Sequence, residues 1–164
     1  MLNATIITMK QVATSGRIRQ NKEVFMQTQV VERKVEEGIL AINNLDLNRF
    51  VEKLQQPAPR GVEWSKEQAE DADKWYRRFL ILGLKYPGVN IVPSKEVDVL
   101  WHSHILDMKR YEQDTRRIFG KILYHRPASE GRNMQPQIAR TNALMLVEFG
   151  EEFTGSLATC DICD

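Results

Sequence analysis

Two stretches of the chain carry apolar residues at the spacing of a buried helical face. The first runs Ala72, Trp75, Tyr76, Phe79, Leu80, Gly83 and Tyr86. It opens at Ser65-Lys66-Glu67-Gln68, a capping box in which the Ser hydroxyl and the Gln side chain satisfy orphan backbone amides. Tyr86-Pro87-Gly88 ends it, because proline cannot continue the backbone ladder. The second follows Pro93, with Ser94 as cap and Glu96 in the first turn, where the helix dipole favours an acid. Its stripe continues through Val97, Leu100, Trp101, Met108, Tyr111 and Ile118 to about Gly120, as one helix.

Elsewhere the pattern is weaker. Asp46 is placed to cap a short helix through Leu47, Phe50, Val51 and Leu54, ended by a turn from Pro57 to Gly61. Residues 24–42 have helical spacing at Val24, Val31, Val35 and Ile39, while Val24-Phe25-Met26 also suits the start of a strand. Residues 1–22 are polar and weakly periodic, which suggests a loosely attached arm or a short strand. Pro136 to Phe153 reads as a final helix carrying Ile138, Leu144, Met145, Val147 and Phe149, with a frayed end after Gly155. The expected architecture is all-α: a compact helical domain around a central Trp-His-x-His helix. Residues 1–44 form a partly helical N-terminal extension, 45–127 the core, and 128–164 a C-terminal helix with an acidic, cysteine-containing tail.

A chain of 164 residues suffices for one domain and needs no disulfide or metal in order to fold. Its N-terminus lacks the basic flank and apolar run of a signal peptide, which points to the cytoplasm. The net charge of +1 gives no global field toward nucleic acid or membrane. Charge is nevertheless uneven: residues 109–140 carry +5 and residues 141–164 carry −5. The basic segment offers Lys109, Arg110, Arg116, Arg117, Lys121, Arg126 and Arg132 as a partner-binding patch. Nucleic acid would need aromatic stacking platforms that the pattern lacks, so a protein partner is the preferred expectation and a membrane is not expected.

All three histidines lie close together, as His102, His104 and His125. With Asp98 and Asp107 they are candidate ligands for a divalent metal, since imidazole and carboxylate both serve zinc and iron. Helical geometry limits the arrangement. Positions i and i+2 sit about 200° apart, so His102 and His104 cannot converge on one ion. Asp98 with His102, or His104 with Asp107, does share a face, and a site would then draw on His125 or on another element. On the wheel, Val97, Trp101, Met108 and Tyr111 form the main stripe with His104 in its middle. His102 lies on the flank, one turn after Asp98. Val99 and Leu106 form a second apolar strip, which implies that both histidines are partly buried. The alternative is structural: core histidines bonded to Asp98, Tyr111 or backbone carbonyls. No nucleophile, base and orienting group stand in a recognisable arrangement.

Several of these strings resemble one family. Pro93-Ser94-Lys95-Glu96-Val97-Asp98, Trp101-His102-Ser103-His104-Ile105-Leu106, Tyr111, Asp114, Phe119-Gly120 and His125-Arg126-Pro127 are similar to the glycine-rich domain-containing protein-like family. Trp75-Tyr76-Arg77-Arg78-Phe79 to Tyr86-Pro87 resembles that family's upstream helix, and the likeness covers residues 46–127. It implies a helical fold and gives weight to these residues, but implies no catalytic reaction. Plant members are associated with development, stress responses and sometimes RNA binding, in proteins that contain additional domains. Here the nine glycines are scattered, and Thr115 follows Asp114 where the family often has Cys.

Both cysteines fall in Cys160-Asp161-Ile162-Cys163-Asp164. The neighbouring acids should raise the thiol pKa, which disfavours redox chemistry. A zinc site would need two further ligands, from a second chain or from the histidines. Otherwise the tail is exposed and reduced, or is read by a partner or a modifying enzyme. The leading expectation is a non-catalytic interaction or regulatory module. A metal-binding protein using the His/Asp cluster is the first alternative, and a modification substrate acting through the C-x-x-C tail the second.

Overall fold

The structure is a computed structural model that describes residues 2–127, 133–153, 158 and 160–163. Among the described residues the chain forms six helices and one two-stranded ribbon. In order these are α1 (Leu2–Asn43), α2 (Asn48–Leu54), α3 (Lys66–Lys85), α4 (Lys95–Leu106), α5 (Met108–Phe119), β1 (Tyr124–Pro127), α6 (Gln135–Phe149) and β2 (Cys160–Cys163). The protein is therefore all-α in its body. Two units are distinguished, Met1–Glu36 and Glu37–Asp164. No helix among the described residues is long and apolar enough to cross a membrane.

The N-terminal unit is helical from Leu2 onward, which corrects the short strand expected as one option for residues 1–22 and the strand option at Val24-Phe25-Met26. Side chains from Arg19 to Lys34 are exposed, Val24, Phe25 and Met26 included. Apolar periodicity reports which face of a helix is buried; a helix that buries no face shows none.

The second unit is built on α3, which packs against α2, α4 and α6. Both halves of its capping box form, with Ser65 Oγ accepting from the Gln68 amide and Gln68 Oε1 from the Ser65 amide. Its inward face supplies Trp75, Tyr76, Phe79, Leu80 and Leu82 to the core. On its flank Arg77 donates to the carbonyls of Ile42, Asn43 and Leu45. It thereby satisfies two acceptors that the end of α1 leaves without intrahelical partners, those of Ile42 and Asn43, and one in the turn that follows. α2 begins at Asn48, and the Asp46 carboxylate accepts from the Asn48 amide at 3.4 Å.

The expected single helix from Ser94 to Gly120 is two. Ser94 caps α4 as expected, by accepting from the Val97 amide. The chain then breaks at Asp107, whose side chain accepts from the Arg110 amide and starts α5. Leu106 and Met108 flank this break and are exposed, so neither belongs to a buried strip. Val97, Leu100, Trp101 and His104 do face the core. Gly120 closes α5 at φ 73°, in the left-handed region that favours glycine.

The final helix ends earlier than Phe153, at Phe149, where Gly150 adopts φ 70°. The expected onset of fraying at Gly155 lies outside the described residues, while Cys160–Cys163 forms a strand rather than a frayed end. This strand, β2, pairs antiparallel with β1, with Tyr124 opposite Cys163, His125 opposite Ile162, Arg126 opposite Asp161 and Pro127 opposite Cys160. Cys160 is buried, and the Ala158 amide donates to the Pro93 carbonyl at 3.0 Å. Deleting Cys160 to Asp164, with a chelator present, should therefore cost about 1–3 kcal/mol in denaturant unfolding. A change below about 0.5 kcal/mol, the range of ordinary surface substitutions, would show that β2 contributes no docking energy.

Candidate metal centre

Three elements meet at one carboxylate. Asp98 stands on the first turn of α4, His125 on β1, and Cys160 on β2, where it pairs with Pro127 two residues beyond His125. Asp98 Oδ1 accepts from His125 Nε2 at 3.0 Å and from the Cys160 thiol at 2.9 Å. The donor atoms of Asp98, His125 and Cys160 all lie within 4.8 Å of one another. His125 and Asp98 are half-buried, and the Trp101 ring packs on the His125 imidazole at 4.6 Å. His102, one turn after Asp98, places Nδ1 3.3 Å from the same carboxylate oxygen and its ring centroid 4.4 Å from that of His125.

One oxygen that accepts two hydrogen bonds with a third ring nitrogen 3.3 Å away is a crowded arrangement. A tetrahedral zinc ion, with oxygen and nitrogen at about 2.0–2.1 Å and sulfur at about 2.3 Å, places its ligand atoms roughly 3.4–3.6 Å apart. The observed separations differ from that by less than side-chain torsions readily supply. The residues therefore fit a small divalent ion that replaces the thiol and imidazole protons pointing at Asp98.

The other candidate ligands lie elsewhere. His104 is fully buried, so only one of the two central histidines is a core residue; the His102 side chain is 52% exposed, contrary to its expected partial burial. His104 Nδ1 lies 3.0 Å from the Tyr76 hydroxyl. Burial first, then the nearby Tyr111 and Asp114, raises the Tyr76 pKa well above its ordinary value, so the phenol stays protonated and donates. Nε2 then carries the proton and faces Asp114 Oδ2 at 3.3 Å. Phe50 and Tyr111 complete the pocket, with ring centroids 5.2 and 5.0 Å away. Burial lowers the His104 pKa to about 4, against the opposing pull of Asp114. Asp107 serves as the cap of α5 and pairs with Arg49.

The basic patch is largely engaged within the chain. Arg110 donates to the Asp46 carbonyl and pairs with the Asp46 carboxylate, Arg116 pairs with Glu112, and Arg117 donates to the Ala41 carbonyl. Lys121 and Arg126 also have partners, and Lys109 is exposed. Arg132 and the Cys163 side chain lie outside the described residues.

Fold and site together define a helical protein whose C-terminal ribbon meets its central helix at a His/Asp/Cys cluster. The family model of the UCP032817-like family matches residues 41–144, and the chain belongs to that family. This overturns the resemblance to the glycine-rich domain-containing protein-like family, which nothing in the comparisons indicates. Val97, Trp101 and His104 of the shared string are buried core residues, and Ser94 of that string is a helix cap, demands that unrelated helices also meet. No curated protein and no solved structure matches the chain.

Proposed function

We propose that the protein is a non-catalytic, divalent-metal-binding module in which the ion fastens the C-terminal ribbon to helix α4. The observation that carries this is the convergence of Asp98, His125 and Cys160 within 4.8 Å, from three separate elements. Sulfur, nitrogen and oxygen donors in one cluster suit a transition metal. Nucleophilic chemistry is less well served: the Cys160 thiol points at a carboxylate, and a neighbouring anion disfavours the thiolate that a nucleophile must be. The site requires a reduced cysteine, which agrees with a cytoplasmic setting. A protein partner is the reading for the exposed surface, because Arg110, Arg116 and Arg117 of the basic segment already hold carboxylates and carbonyls of this chain.

Protein stripped with a chelator and titrated with Zn²⁺ should bind one equivalent. His125→Ala and Cys160→Ala should each weaken binding by more than about 100-fold, beyond what loss of an outer-shell partner costs. Absence of uptake by the wild-type chain, or equal uptake by both variants, would overturn the proposal.

A further inference from the structure

We propose that His102 is the fourth ligand of this cluster and closes it into a tetrahedral zinc site. This rests on the metal-binding reading above and goes beyond it in naming the ion and the closure.

Asp98 and His102 stand four residues apart on α4, the spacing at which two side chains of one helix face reach a common ion. His102 Nδ1 is 2.7 Å from the Asp98 carbonyl oxygen. That oxygen can only accept, so Nδ1 carries the proton and Nε2 keeps its lone pair. A ligating imidazole commonly shows this pattern, with one nitrogen donating to a backbone carbonyl and the other left for the metal. The side chain is half exposed, so rotation about its own bonds meets no packed core. His104 cannot take this place, being enclosed and bonded to Tyr76.

The donor set then selects the ion. One thiolate, one carboxylate and two neutral imidazoles carry two negative charges and balance a divalent cation, which limits the cost of a half-buried charge. Magnesium and calcium prefer six or more oxygen ligands and do not suit sulfur and nitrogen. Four protein ligands with no open position mark a structural zinc site, whereas a catalytic one keeps a position for water. On binding, the Cys160 proton leaves to solvent, the His125 proton moves by exchange with solvent from Nε2 to Nδ1 so that the ring stays neutral, and the S–H···O and N–H···O contacts to Asp98 are exchanged for sulfur–metal, nitrogen–metal and oxygen–metal bonds.

Cobalt substitution of the full chain tests the assignment. Wild-type protein loaded with Co²⁺ should show intense tetrahedral visible bands with a thiolate charge-transfer band, unchanged by added azide or imidazole. His102→Ala, checked for an unaltered circular dichroism spectrum, should lose intensity, respond to imidazole, and bind Zn²⁺ more than about 100-fold more weakly, beyond the cost of an outer-shell loss. A His102→Ala spectrum and affinity equal to wild type would overturn the fourth-ligand assignment while leaving the three-residue site standing. So would a wild-type spectrum that shifts with azide. Failure of the wild type to bind cobalt or zinc would remove both.

Discussion

Trp101→Ala should yield insoluble or molten protein, at a cost of about 3–5 kcal/mol. Trp101 is fully buried, with Phe79 on one side at 4.9 Å and His125 at 4.6 Å between ring centroids. Its indole N–H donates to the Tyr111 hydroxyl, which in turn donates to the Leu123 carbonyl just before β1. Truncation would therefore open a cavity, remove the donor that Tyr111 accepts from, and loosen the support of His125. Against a total stability of about 5–15 kcal/mol, such a loss approaches the whole. Trp101→Phe keeps most of the volume and loses the N–H, and should be milder. Cooperative unfolding of Trp101→Ala at the wild-type temperature would contradict the packing described.

The second large effect is acid lability traced to one histidine. In the unfolded chain His104 binds a proton near pH 6.5, whereas in the folded protein burial holds its pKa at about 4. Between these values the unfolded state binds more protons, so stability falls as pH falls. The full interval corresponds to about 3 kcal/mol. Glu148 is held below the usual carboxylate range by Lys85 and then Tyr86, and Glu151 to about 2 by Arg78 and then Lys74. Their stabilisation is lost only as pH drops below about 4.5, the ordinary glutamate range. The window from pH 6.5 to 4.5 therefore belongs to His104. Denaturant unfolding across it, with chelator present, should show a slope that His104→Gln largely removes. An equal slope in the variant would contradict the buried neutral His104.

The parts of the fold legible in the sequence are those fixed by local chemistry. Ser65 and Ser94 are capping residues whose bonds close within three positions, and both form. The stripe that buries Trp101 and His104 lies within three turns of one helix. The break at Asp107 was hidden because apolar spacing resumes in phase on its far side, carrying Met108 into a stripe it does not join. The helix at residues 19–34 was only weakly marked, at Val24 and Val31, because exposed side chains leave little periodic pattern.

The candidate site divides in the same way. Asp98, His102 and His125 could be named because they cluster along the chain. Cys160 could be joined to the histidines only as one of several options for a zinc site, because its place depends on the pairing of Pro127 with Cys160, a non-local register that no spacing announces. In sequence the cysteine looks like half of a C-x-x-C pair; in the fold it is the partner of Asp98.

X-ray absorption at the zinc edge of the loaded, full-length protein tests the metal-bound ribbon most directly. One sulfur at about 2.3 Å, with the remaining ligands nitrogen or oxygen at about 2.0–2.1 Å, is expected, and the sulfur should vanish in Cys160→Ala. A zinc shell with no sulfur, or one with two that persists in that variant, would contradict the Asp98–His125–Cys160 centre.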